Sequence, residues 1–233
     1  MLLRLKFFFS AVVLLPFLIS TLVHFPLLFQ SAHLQTENIL FFGAGCVLYI
    51  LFEAVFNRPM RTYVFGHELT HALASIMMGG NVHSFKVSKE GGSVEVSKSN
   101  FFVALAPYCI PIYTLAIIIG YSGLGFWMET APYQKFFWGL LGSSLAFHVS
   151  LTLHALRQDQ PDTQKTGLFF SLVFIVLVNA WLTALLARLL LGETIAIKEF
   201  GVQVWQTQTM IWLWVFSHGK KTALWIVSKI HFD

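Results

Sequence analysis

Charged residues are scarce in this chain of 233 residues. Asp, Glu, Lys and Arg make up 11% of the sequence, hydrophobic residues make up 56%, and the mean hydropathy is +0.70. These values exclude an ordinary soluble domain, in which about a quarter of the residues are charged. The net charge of +4 is small and dispersed over loops, so we expect no nucleic-acid partner.

Cysteine is almost absent as well. Cys46 and Cys109 both lie inside apolar runs, where a free cysteine commonly behaves as a small hydrophobe. Neither lies at ligand spacing from a histidine, which argues against a closed, cysteine-rich structural zinc site. The sequence also lacks internal repeats and any polar stretch long enough for a soluble domain. We therefore interpret residues 1–233 as a single integral membrane domain.

Long apolar runs make up much of the sequence. A spanning helix needs about 20 mostly apolar residues, and the candidate runs are residues 7–29, 39–56, 62–78, 101–121, 136–156 and 167–191, the third being short for a full span. We predict an all-α, multi-pass protein of the lipid bilayer with about six transmembrane helices. Residues 192–233 contain no run of spanning length and are predicted to form an interfacial C-terminal tail.

One segment has the alternation of a β-hairpin. Phe85 and Val87, and then Val94 and Val96, alternate with polar residues on either side of the sequence EGGS at 90–93. Alternation with period two around a glycine-containing turn is typical of two antiparallel strands. We predict a small membrane-associated hairpin directly after the third run.

The sequence FGHELTHAL at 65–73 indicates a metal site. On a helix, His67 and His71 are four residues apart and therefore present two imidazoles on one face to a single ion. Glu68 lies beside that face, where its carboxylate can take a proton from the attacking water and deliver one to a leaving amine. We predict Zn²⁺ as the metal, His67 and His71 as ligands and Glu68 as the catalytic residue.

The His-Glu-x-x-His helix inside a membrane chain, the Gly-Gly-x-Val hairpin after it and a downstream Pro-Asp together resemble the site-2 protease-like family of intramembrane zinc metalloproteases. In that family a later aspartate completes the zinc site. The resemblance covers roughly residues 62–191 and implies that Asp162, in the sequence QPD at 160–162, is the third metal ligand. Residues 62–191 are the predicted metalloprotease core.

Other third ligands remain open at this point. Asp159 is the nearest rival, a glutamate from a later segment is another, and a histidine of the preceding run is a third; these candidates are Glu129, Glu193, Glu199, His148 and His154. Simple alternation of six spans would place Asp162 on the opposite membrane face from His67. The conflict disappears if the short third helix does not cross and the hairpin folds back against it.

The function expected from these observations is zinc-dependent hydrolysis of peptide bonds in or near the transmembrane segments of membrane protein substrates, as in regulated intramembrane proteolysis. The short connections suit a bacterial inner membrane. Three alternatives remain: a non-catalytic zinc-binding regulatory protein, a metalloprotease with a glutamate third ligand, and a transporter lined by Glu53, His148 and Asn179. Glu53 is more simply explained by pairing with Arg58.

Overall fold

The computed structural model describes residues 2–30, 36–88, 91–158 and 160–230. Within these ranges the chain is mostly helical and contains one two-stranded sheet. The elements in chain order are α1 (Leu2–His24), α2 (Thr36–Phe56), α3 (Met60–Met77), β1 (Val82–Val87), β2 (Gly92–Val96), α4 (Phe101–Cys109), α5 (Ile112–Leu124), α6 (Gln134–Leu156), α7 (Pro161–Thr166), α8 (Leu168–Leu191) and α9 (Ile197–Ile230).

The chain divides into two compact units. One comprises Met1–His33 with Leu172–Asp233, and the other comprises Leu34–Ser171. The expected division into a single domain 1–233, a core 62–191 and an interfacial tail 192–233 stays a prediction. The first unit is held by α8, where the Trp181 ring stacks on Phe17 and its Nε1 donates a hydrogen bond to Thr21 Oγ1 at 3.2 Å.

The expected hairpin is confirmed as an antiparallel pair. Val82 lies opposite Val96, and Phe85 lies opposite Val94. The sheet packs on α3, where the Phe85 ring meets Phe65 edge to face, with 5.8 Å between centroids. The helix α3 ends at Met77, and Gly79 shortly after it adopts a φ of +72°. A glycine takes up this left-handed conformation without a Cβ clash.

Residues 101–121 do not form the single helix that we expected. The run is broken into α4 and α5, whose axes differ by 71°. The physical reason lies at Pro111, which disfavours helical geometry at the preceding residue. Ile110 accordingly has extended backbone angles, with φ −102° and ψ 108°.

The second unit is organised by close packing between α2 and α6. A Cβ added to Gly45 would collide with the carbonyl of Gly139, so the two backbones are in direct contact. Ser143 Oγ donates to the Gly45 carbonyl at 2.8 Å, and Ser150 Oγ donates to Glu53 at 2.7 Å. Because residue numbers rise together along both helices, α2 and α6 run parallel.

The parallel arrangement places both halves of the predicted metal site at one end of this unit. The helix α3 starts just after α2 ends, and α7 starts just after α6 ends. The Tyr113 hydroxyl donates to the Thr62 carbonyl at 2.6 Å, so α5 starts beside the start of α3. From there α5 runs antiparallel to α6, with Tyr121 stacked on Phe137. The segment from α3 to α4 therefore begins and ends at the same end of this unit.

The number of spanning helices differs from the expected six. Within the described residues, four helices are long and apolar enough to cross a membrane, and the bent pair of α4 and α5 raises this number to at most five. The four are Leu2–Phe29, Glu37–Phe56, Ala131–Leu156 and Leu168–Leu191. The helix α3 is present but is not among them, since its polar site residues lower its hydropathy.

This topology predicts a labelling pattern. In a variant with Cys46 and Cys109 replaced by serine, single cysteines at Ser88 and Gln158 should react with a membrane-impermeant thiol reagent from the same face. A cysteine at Glu129, in the connection between α5 and α6, should react from the opposite face. Labelling of Ser88→Cys and Gln158→Cys from opposite faces would contradict the parallel arrangement of α2 and α6.

Candidate metal centre

Three side chains from two distant segments meet at one point. The helix α3 supplies His67 and His71, and the short helix α7 supplies Asp162. The His71 Nε2 atom lies 3.2 Å from His67 Nε2 and 3.2 Å from Asp162 Oδ2, and His67 Nε2 lies 3.5 Å from the same oxygen. Among the described residues, these three form the one group of histidine, cysteine and acidic side chains that could hold a metal ion.

The triangle formed by these atoms has the size of a metal site. In a tetrahedral site with bonds of about 2.0–2.2 Å, two ligand atoms are about 3.3–3.6 Å apart. The three observed separations, 3.2, 3.2 and 3.5 Å, are close to this range. Two imidazoles and one carboxylate leave a fourth position for water, as in catalytic rather than structural zinc sites. The donor set therefore fits a tetrahedral divalent cation.

The hydrogen bond on the far side of His71 strengthens this conclusion. Its Nδ1 lies 2.8 Å from the Val103 carbonyl, which can only accept, so Nδ1 carries a proton. A neutral His71 then has a bare lone pair on Nε2, directed at the carboxylate of Asp162. Two facing acceptors repel each other unless a proton or a metal ion lies between them; without a metal, the hydrogen bond to Asp162 raises the pKa of His71 against the effect of burial. A metal ion removes this repulsion and uses all three lone pairs.

The other two ligands also have outer partners. The Tyr63 hydroxyl lies 3.2 Å from His67 Nδ1, one helical turn earlier on α3. The Tyr108 hydroxyl, on α4, donates to Asp162 Oδ2 over a long 3.5 Å, and its ring meets His67 edge to face. Neither tyrosine lines the open cleft. Outer partners of this kind fix the orientation of metal ligands.

The position of Asp162 depends on how α7 is anchored. The Thr166 hydroxyl, one turn after Asp162, is buried and lies 2.7 Å from Ser171 Oγ at the start of α8. Burial would raise the pKa of Asp162, but hydrogen bonds from His67 and His71 outweigh it and hold that pKa well below its usual range. The carboxyl group is therefore ionised at neutral pH, which is the form that binds metals.

Glu68 lies between α3 and the hairpin. Its side chain is 9% exposed and accepts a hydrogen bond from the backbone of Val94 on β2. Burial raises the pKa of the Glu68 carboxyl, against the opposing charge of the two histidines. A Cβ at Gly92 would come within 2.8 Å of Glu68 Cγ, so only glycine lets β2 approach this closely.

A cleft of about 240 Å³ opens at these residues. Its walls include the two histidines, Glu68, Asp162 and Lys165, together with the β2 residues Gly92, Ser93, Val94 and Val96. The residues at the hairpin wall are small or β-branched and leave the backbone of β2 beside the cleft. This arrangement brings a candidate proton carrier, a candidate metal site and a strand together around one opening.

The rival ligands are placed as follows. Asp159 and the side chain of Glu193 lie outside the described residues. Glu129 lies in the connection between α5 and α6, and Glu199 lies in the first turn of α9. His154 Nε2 lies 3.0 Å from the Gln158 amide. In the part of the chain whose side chains are described, Asp162 is the acidic residue grouped with His67 and His71.

Other polar residues considered as a transport path have local partners. Glu53 pairs with Arg58, with 2.8 Å between its Oε1 and the guanidinium Nε, as the sequence suggested. It also accepts from Ser150. Asn179 donates to the Ile175 carbonyl one turn earlier on α8. His148 lines a water-sized cavity beside His67 but does not belong to the metal-sized group.

Sequence reasoning missed the residues that surround the ligands. The contact between Tyr63 and His67 could have been predicted, because Tyr63 precedes His67 by one helical turn. Val103 and Tyr108 carry no such signal, since they are 32 and 54 residues away from their partners His71 and Asp162.

Comparisons of the chain with protein-family models, with curated proteins and with solved structures find no match.

The outer partners generate a prediction about metal affinity. Tyr63→Phe and Tyr108→Phe each remove a hydroxyl next to a ligand, and such losses lower metal affinity about 10- to 100-fold. Competition with a chelating indicator in detergent measures this for zinc and cobalt. Tyr113→Phe is the matched control, because it removes a hydroxyl that bonds the backbone, at the Thr62 carbonyl, and not a metal ligand. Equal affinities for all three variants would contradict the assignment.

Proposed function

We propose that this chain is a membrane-embedded zinc metalloprotease, similar to the site-2 protease-like family, that cleaves membrane protein substrates. The observation that carries the proposal is the metal-sized triangle of His67, His71 and Asp162 beside the buried carboxylate of Glu68. The support is chemical, since two imidazoles, a carboxylate and a neighbouring general base are the parts that metal-assisted peptide hydrolysis needs.

Each residue has a role that follows from its position. Zinc, when bound by the three ligands, supplies Lewis acidity that polarises water and a peptide carbonyl. Glu68 takes the proton from the attacking water and returns it to the leaving amine. Its burial favours this role, because a carboxyl group with a raised pKa holds the transferred proton more readily.

The hairpin supports a peptide as the substrate. Because β2 forms a wall of the cleft, an extended substrate segment can lie along it and pair through backbone hydrogen bonds. Pairing of this kind holds a scissile carbonyl in a fixed position and requires an unwound, extended segment. Substrate transmembrane segments that unwind near the membrane surface meet this requirement.

The location follows from composition and topology. With at least four candidate spans, the protein is an integral, multi-pass membrane protein. The short connections between its helices are compatible with a bacterial inner membrane, which we propose as its compartment. The sixth expected span has no counterpart in the described residues, so we propose five spans with α3 and the hairpin as the non-crossing part.

The decisive experiment measures metal content and cleavage in parallel. Purified protein in detergent or vesicles is analysed for zinc and incubated with a model single-span substrate. Glu68→Gln should keep the metal and lose cleavage by about 100-fold or more, because it removes proton transfer. His67→Ala and Asp162→Ala should lose both metal and cleavage, whereas His154→Ala should keep both.

The outcomes separate the alternatives. Cleavage that survives Glu68→Gln would contradict the protease assignment. Metal binding without any cleavage of unwound membrane substrates would favour a non-catalytic zinc-binding regulatory protein. Metal retained in Asp162→Ala would point to a different third ligand.

A second prediction tests the approach of the hairpin. Gly92→Ala places a methyl group against Val64 and Glu68 and should lower cleavage on the order of 100-fold through misplacement of the general base, with metal content unchanged. Gly120→Ala is the control, because a Cβ there meets no atom within 4 Å. Full activity of Gly92→Ala would rule out a close hairpin wall at Glu68.

A further inference from the structure

A proline lies inside α4, one helical turn after the residue that contacts the metal site. Pro107 is the fourth residue after Val103, and both are buried. In a regular α-helix the amide of residue 107 would donate to the carbonyl of residue 103. Proline has no N–H, and its ring pushes the carbonyl four residues earlier away from the helix axis. The Val103 carbonyl therefore lacks its regular helical donor.

This carbonyl is the one that meets His71. The 2.8 Å contact with His71 Nδ1 is the bond that keeps the proton on Nδ1 and leaves Nε2 free for a metal. The Val103 side chain is 1% exposed, and with Ala74 and Ala106 it forms a packed cluster between α3 and α4. Because the cluster is buried, water is a poor substitute for either partner.

We propose that Pro107 is a positioning residue that sets the tautomer of His71. By removing the helical donor to Val103, it directs that carbonyl to His71 Nδ1 and so presents Nε2 to the metal. The inference rests on the proposed metal site but concerns a residue that contacts neither metal nor substrate. A proline within α4 thereby controls which ring nitrogen of a proposed metal ligand on α3 carries the proton.

The packing around α4 makes this role specific. Asn100 caps the start of α4 by accepting from the Val103 amide at 2.9 Å, so the first turn is held in place. The packed alanines hold α4 against α3. The direction of one carbonyl is therefore free to respond to residue 107 while the helix itself stays in position.

The test is Pro107→Ala. Alanine restores the amide, which draws the Val103 carbonyl back towards the helix axis and weakens its bond to His71. We expect zinc affinity to fall about tenfold or more, in line with other outer-partner losses. The melting temperature of the metal-free variant should stay equal or rise, because alanine is the better helix residue. Pro132→Ala, in the connection between α5 and α6, is the matched proline control.

A second measurement does not depend on the variant. The ¹⁵N shifts of the His71 ring in metal-free wild-type protein, at a pH where the ring is neutral, should show the proton on Nδ1. A proton on Nε2 would overturn the inference, as would unchanged zinc affinity in Pro107→Ala. A lower affinity that comes with a lower metal-free melting temperature would also overturn it, because general damage would explain the loss.

These readouts keep the two proposals apart. If wild-type protein binds zinc but does not cleave substrates, the tautomer and the affinity still test Pro107. If wild-type and Pro107→Ala proteins bind zinc equally, the role of Pro107 fails while the protease proposal stands on Glu68→Gln.

Discussion

Direct backbone contact between α2 and α6 determines where the chemically active groups of the second unit lie. Glycines at the contact allow the two helices to approach without intervening side chains, and serine hydroxyls bond across it to Gly45 and Glu53. In an apolar solvent such packing and hydrogen bonding are what associate helices, because lipid offers no hydrophobic driving force. Since the two helices run parallel, the segments that follow them emerge at the same end, and α3 meets α7 there.

The second constraint is the cost of polar groups in apolar surroundings. A histidine pair, two carboxylates and two phenols lie close together on α3, α4 and α7. Each acquires a partner: Tyr63 for His67, the Val103 carbonyl for His71, Tyr108 for Asp162 and the Val94 backbone for Glu68. The three ligand atoms at the centre are acceptors when the histidines are neutral, and a proton or a metal ion between them removes their repulsion. The fold therefore prepares a charged site before any metal binds.

Local patterns made some of these features predictable. The i, i+4 spacing of His67 and His71 depends only on helix geometry, and the alternation around residues 90–93 depends only on strand geometry. The hairpin is present as expected. The membrane class followed from composition. The predicted number of spans was less accurate. The length of an apolar run can be read from the sequence, but the 71° bend between α4 and α5 at Pro111 cannot.

What the sequence by itself determined is therefore local: the apolar helices, the hairpin, and the two imidazoles on one helix face with a carboxylate beside them. Asp162 was reached only by resemblance, because nothing in the spacing of residues 71 and 162 brings them together. Tertiary structure decided that meeting through the parallel packing of α2 and α6, and it decided the partners Val103, Tyr108 and Gly92 as well. The physical reason is that contacts between distant segments depend on the direction in which helices pack, and helix direction is a property of the assembled fold.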